Sequence, residues 1–180
     1  VILVRNTRNF DISYNTITSS VGGTTSGTLR GIYIPSYSNA PTGTNTQTIN
    51  YNNISIRSAV ATGAMLGIAL ESTTGNTTTT LNINNNDFNN ITHTVAASGA
   101  ITLISNGMAS LSQNIKNNTF TNISCNTSGN FTFIINSVSM IATGTQDISS
   151  NQIVTGFTKT TAGGTVTIFS TNGSSVNGST

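Results

Sequence analysis

Short apolar stretches recur along the chain at nearly even intervals, separated by polar runs of Thr, Asn, Ser and Gly. Five segments share the pattern Ile-x-x-Asn-x-(Ile/Phe). They are Ile12-Ser-Tyr-Asn15-Thr-Ile17, Ile49-Asn-Tyr-Asn52-Asn-Ile54, Ile83-Asn-Asn-Asn86-Asp-Phe88, Ile115-Lys-Asn-Asn118-Thr-Phe120 and Ile148-Ser-Ser-Asn151-Gln-Ile153. Their asparagines are 37, 34, 32 and 33 residues apart. A second apolar stretch follows each motif: Leu29 to Ile34, Met65 to Leu70, Ala100 to Ile104, Phe131 to Ile135 and Val166 to Phe169. Gly27, Gly63, Gly99, Gly129 and Gly164 stand just before these stretches, and Val1 to Val4 reads as the same strand of a truncated sixth repeat. The stretches are short and β-branched, and none carries a sustained apolar stripe of period 3.6, so they predict strands and exclude helical repeats. A strict period of this size marks a stack of supersecondary units. Each unit reads as strand, Asn corner, strand, polar loop, strand, polar loop.

Ile12 and Ile17 are five apart and would face opposite sides of a straight strand. A sharp bend at Asn15 brings both inward, and Asn tolerates the left-handed backbone that such a bend requires. Stacking one coil on the next at about 4.8 Å aligns Asn15, Asn52, Asn86, Asn118 and Asn151 in a column, each amide donating to the carbonyl of its neighbour. Ile12, Ile49, Ile83, Ile115 and Ile148 form a second column, and Ile17, Ile54, Phe88, Phe120 and Ile153 a third. The expectation is an all-β, right-handed parallel β-helix (solenoid) of about five coils, with 32–37 residues per coil. Residues 1–180 form one segment: a partial coil over 1–8, then 9–45, 46–79, 80–111, 112–144 and 145–180. Differences in repeat length fall in loops such as Tyr37 to Thr46 and Ser72 to Thr79. Five coils span roughly 24 Å with open ends, so the segment reads as an excerpt of a longer repeat protein.

Composition agrees with a thin rod. Only 6% of the 180 residues are charged, while 35% are hydrophobic, enough to fill narrow aliphatic columns. The net charge of +2 comes from scattered groups, without the basic stripe of a nucleic-acid binder. No apolar run reaches the length of a membrane span.

The Ile-x-x-Asn-x-(Ile/Phe) corner and the run Asn-Thr-Phe-Thr-Asn-Ile-Ser over 118–124 resemble right-handed parallel β-helix proteins of the pectin-lyase-like class. The Thr/Asn-rich, charge-poor texture is similar to large secreted or cell-surface, adhesin-like repeat proteins of Bacteroidetes-type bacteria. That resemblance implies an extracellular or cell-surface location.

Because pectin-lyase-like folds include polysaccharide enzymes, the carboxylates matter. Asp11, Glu71, Asp87 and Asp147 fall in different coils, whereas glycoside hydrolysis wants two carboxylates about one bond. Lys116 lies one coil from Asp87. His93 is the only histidine and Cys125 the only cysteine, so neither a Cys cluster nor a disulfide is available. The two share a phase, each seven residues past its corner Asn. A catalytic Cys-His pair is the sharp reading and two structural residues the plain one. No catalytic, metal or cofactor site is assigned, and the chain is read as a non-enzyme. Its expected function is a structural or adhesive rod of a secreted or cell-surface repeat protein or extracellular fibre. Its polar loops would meet glycans, host or abiotic surfaces, other copies of itself or export machinery. The alternative is a polysaccharide-binding or polysaccharide-degrading β-helix whose catalytic residues lie outside this segment. A third reading is an ice-binding or tailspike-like module.

Overall fold

Strands of alternating inward Ile and outward Thr or Asn have one apolar edge to bury, and they bury it by closing into turns. The computed structural model describes residues 1–5, 7, 9–19, 27–36 and 43–171, with the side chains of 72–77 outside the description. Arg8, residues 37–42 of the predicted Tyr37 to Thr46 loop and residues 172–180 of the last predicted coil lie outside the described residues.

Each turn has three walls. The first, ahead of the corner asparagine, holds β2 (Phe10–Ser13), β5 (Asn45–Asn50), the end of β8 (Met65–Asn84), the end of β11 (Ile101–Lys116) and β14 (Thr145–Asp147). The second, after the corner, holds β3 (Thr16–Thr18), β6 (Asn53–Ser55), β7 (Arg57–Ser58), β9 (Asp87–Asn89), β10 (Thr92–Ala97), β12 (Thr119–Thr127) and β15 (Gln152–Lys159). The third holds β1 (Ile2–Leu3), β4 (Leu29–Ile34), the beginnings of β8 and β11, β13 (Phe131–Asn136) and β16 (Val166–Thr171). Every described pairing is parallel. The chain is therefore an all-β solenoid of stacked coils, and its five corners bound about four complete turns.

The first and third walls merge into one nine-stranded sheet, because β8 and β11 run through the connection between them. The predicted loop at Ser72 to Thr79 is thus strand: Thr73 pairs with Met108 and Asn76 with Ser110, with register shifts between them. Thr-rich sequence pairs as readily as it loops once a neighbouring coil offers free backbone groups.

The interior is a file of stacked side chains. Ile49, Ile83 and Ile115 are fully buried on the first wall, Ile54 and Phe88 on the second, and Ile32, Ile68 and Ile104 on the third. Large residues sit opposite small ones. A Cβ on Gly67 would lie 2.6 Å from the Phe88 ring, and one on Gly31 would lie 3.3 Å from Ile54. In the later coils the register position of Gly67 holds Leu103 and Phe133, and large residues meet large ones: Phe120, Phe131, Phe133 and Phe157 pack with ring centroids 4.9 to 5.2 Å apart.

The glycines ahead of the third-wall strands also stack. A Cβ on Gly99 would come within 2.1 Å of the Gly63 carbonyl oxygen, whereas one on Gly27 meets nothing within 4 Å. Gly99→Ala should destabilise the fold by about 1–3 kcal/mol through this backbone clash, while Gly27→Ala should be nearly neutral. Urea denaturation of the two variants against the parent measures the difference.

Candidate functional site

The corner asparagines are bonded to one another from coil to coil. Each Nδ2 donates to the Oδ1 of the next coil: Asn15 to Asn52 at 2.9 Å, Asn52 to Asn86 at 2.9 Å, Asn86 to Asn118 at 3.0 Å and Asn118 to Asn151 at 2.8 Å. The same Oδ1 atoms accept the backbone N–H of Asn15, Asn52, Asn86 and Asn118 at 2.9 to 3.1 Å. The second Nδ2 hydrogen reaches back one coil, from Asn52 to the Ile12 carbonyl, Asn86 to Ile49, Asn118 to Ile83 and Asn151 to Ile115, at 2.8 to 2.9 Å. Asn52, Asn86 and Asn118 are buried, and each thereby satisfies both amide hydrogens and both oxygen lone pairs.

The bend itself falls one residue earlier than the sequence pattern suggested. Positive φ occurs at Tyr14, Tyr51, Asn85, Asn117 and Ser150, with values of 56 to 60°. The ladder asparagine is thus the residue the bend aims inward. A second left-handed column lies in the second wall at Asn90, Asn122 and Gly156. The repeat pattern carried no mark of it.

Of the predicted aliphatic columns, Ile17 and Ile148 are partly buried against the core. Ile153 departs from its column: it is 39% exposed, because β15 is the outermost described strand on that side of β12. Val154, Val166, Ile168 and Phe169 of the same coil are exposed for the same reason.

The four carboxylates stay apart. Asp11 accepts from Ser13, and Asp87 accepts from Thr119 and Asn89. Glu71 lies 3.9 Å from Arg30. Lys116 pairs with Asp147 at 3.1 Å, not with Asp87. A hydrogen bond from Ser149, and then the Lys116 ammonium, hold the Asp147 carboxyl below its ordinary range. No group of three potential metal ligands occurs among the described residues.

His93 and Cys125 are register partners on adjacent coils, flanked by Ser58 and Lys159. Both are buried. His93 Nδ1 lies 3.0 Å from the Val95 carbonyl, which places its proton there, and Nε2 is buried without a hydrogen-bond partner. Burial pushes the Cys125 thiol up to about 12, against the pull of Lys159 and of a backbone bond from His93. Cys125 is thus held as the thiol, the reverse of an activated nucleophile.

Sequence reasoning missed an interior polar group where the third wall meets the first. Asn106 Nδ2 donates to Asn136 Oδ1 at 2.6 Å, Asn136 Nδ2 to Gln113 Oε1 at 2.8 Å, and Gln146 Nε2 to the same oxygen at 3.2 Å. The available signal was the position of Asn106 and Asn136 at the end of equivalent apolar strands, in register with each other. The outward first wall was missed as well. Thr46, Thr80, Ser112 and Thr145 align across coils, as do Thr48, Asn82, Asn114 and Asp147, and then Asn50, Asn84 and Lys116.

Asn86→Ala would leave buried partners on both neighbouring coils unpaired, and should cost about 3 kcal/mol; Asn15→Ala, at a half-buried end of the ladder, should cost about 1 kcal/mol. Equilibrium urea unfolding separates the two. For Cys125 the sign follows from a thiol raised in the folded state. Below pH 9.0 both states hold the proton; between 9.0 and about 12 only the unfolded chain releases it, so stability falls as pH rises through that window. Cys125→Ala should remove this component of the alkaline loss, as read from melts at stepped pH, and the parent thiol should resist Ellman's reagent until the chain unfolds.

No family model matches this chain, and no curated protein or solved structure matches it.

Proposed function

We propose that the chain is a structural or adhesive segment of a secreted or cell-surface repeat protein, a stiff rod whose outward walls and loops present Thr, Ser and Asn to its surroundings. The observation that carries this reading is the combination of an interior spent on self-pairing and an exterior of neutral polar columns. The asparagine ladder and parallel pairings tie each coil to the next. A load applied along the axis is shared by many backbone bonds, which suits a spacer. The surface offers hydroxyls and amides in regular rows with few charges, which suits glycans, surfaces or neighbouring chains.

A second reading, polysaccharide binding, is favoured by one specific feature. Tyr14 and Tyr51 stack in parallel at the exposed edge of the first wall.

Antibody labelling of intact cells of the source organism tests the location. The expected result is labelling without permeabilisation and loss of signal on protease shaving. Signal that appears only after permeabilisation would overturn the reading.

A further inference from the structure

The chain keeps its sulfur away from solvent. Its three methionines, Met65, Met108 and Met140, and its single cysteine, Cys125, are all buried, and it has no tryptophan. Oxidation follows exposure, so an oxidant arriving from solution meets tyrosine as the readily oxidised side chain. The sequence holds four: Tyr14, Tyr33, Tyr37 and Tyr51. Tyr37 lies outside the described residues. Tyr33 has Leu3 and Ala69 as register partners, and Arg30 sits 4.3 Å from its ring centroid, so neither neighbouring coil brings it a second phenol.

Tyr14 and Tyr51 differ. They hold the same left-handed corner on adjacent coils, at φ of 60° and 56°. Ser13 pairs with Asn50 just ahead of them, and the Tyr14 N–H donates to the Asn50 carbonyl at 3.1 Å, which fixes one phenol against the other. Both rings reach solvent, at 77% and 50% exposure. Their centroids are 4.9 Å apart and their planes differ by 2°, so each ring covers a face of the other.

That arrangement has a chemical consequence. A phenol that loses one electron and its hydroxyl proton becomes a phenoxyl radical. Its unpaired density lies on the oxygen and on the ring carbons ortho and para to it, in π orbitals above and below the ring plane. The para carbon carries the side chain, so Cε is the open position. Two such rings face to face point their reactive lobes at one another.

We propose that Tyr14 and Tyr51 are a site of oxidative coupling, which joins the coils of Asn15 and Asn52 by a Cε–Cε bond. A haem peroxidase with hydrogen peroxide is the class of oxidant required. It takes one electron from each phenol, and each hydroxyl proton passes to water. The two radicals pair their electrons in the new bond as the exposed side chains turn about Cα–Cβ to close the gap. The hydrogen on each bonded carbon then moves through water to the phenolic oxygen, and both rings are aromatic again. The net change is the loss of two hydrogen atoms from the chain and the reduction of one peroxide to two waters. The bond closes a loop between residues 37 apart in sequence, which removes entropy from the unfolded chain.

Treatment of the folded chain with a haem peroxidase and hydrogen peroxide, followed by peptide mapping, tests this. The expected product is monomeric, carries the Tyr14 and Tyr51 peptides joined and two hydrogens lighter, and shows the blue fluorescence of a biphenol. Its yield does not change with protein concentration, and its urea midpoint lies above that of the untreated chain. Y14F and Y51F each keep both rings, so each should melt with the parent and lose the joined peptide and most of the fluorescence. In urea the yield of the joined peptide should fall about tenfold, because the two phenols are then held only by a flexible chain. The proposal is overturned by the absence of the joined peptide, by coupling that runs mainly between chains, or by an equal yield in urea. It is overturned equally by full fluorescence in Y14F and Y51F, which places the coupling at other tyrosines, or by a urea midpoint that coupling leaves unchanged or lowers.

Discussion

A side-chain amide taken out of water must find partners for two hydrogens and two lone pairs, and this requirement governs the molecule. Leaving such a group unmatched costs about 1–3 kcal/mol. A column of asparagines solves the problem only if each coil lies in register on the next. Asn52, Asn86 and Asn118 then bond one coil ahead through Nδ2 and Oδ1 and one coil behind through the other hydrogen. A slip of one residue would turn the amides outward and the flanking isoleucines with them. The ladder thus fixes where Ile49, Ile83 and Ile115 stack, where the chain bends and which residues reach solvent.

In-register stacking also explains why charge is so rare. Equivalent positions sit about one strand spacing apart, so a charged position repeated in every coil would stack like on like, which destabilises a sheet. Neutral hydrogen-bonding residues can be stacked without that penalty. The charges that do occur largely avoid their own columns: Arg30 reaches Glu71 on the neighbouring coil, and Lys116 reaches Asp147. The low charge content is therefore a consequence of parallel pairing, and the same rule leaves the outer walls rich in Thr and Asn.

The parts legible in the sequence were those that repeat with both period and chemistry: the asparagine, the isoleucine three before it, and the apolar residue two after. The left-handed position was misplaced by one because tyrosine, asparagine and serine all occupy it, so no residue type marks it. The interior polar group was hidden for a different reason. Asn106 and Asn136 share a buried column with Ile34 and Leu70, and Gln113 one with Leu81, and only the register of the walls shows that the three amides meet. Ser72 to Thr79 looked like a loop because isolated Thr-rich sequence is loop-like, yet an adjacent coil recruits it into strand. Ile153 matched its column by pattern but lacks a described coil above it.

A solenoid of this kind spends its interior on holding neighbours together, and the coils obey one local rule. Residues that follow the rule report on stability. Those that break it carry local backbone strain that the rest of the stack must hold in place. Asn85, Asn117 and Ser150 follow the rule for a left-handed corner. Tyr14 and Tyr51 break it on two adjacent coils, at the same phase and with parallel exposed rings. Burial is excluded as the reason, since both rings face water. What remains is the contest between mutual stacking, worth about 0.5–1.5 kcal/mol for an aromatic pair, and left-handed strain of order 1–3 kcal/mol at each residue. On those magnitudes the stack does not offset its own backbone strain, so the left-handed corner at these two coils is held by the asparagine ladder and the buried isoleucines on either side of it.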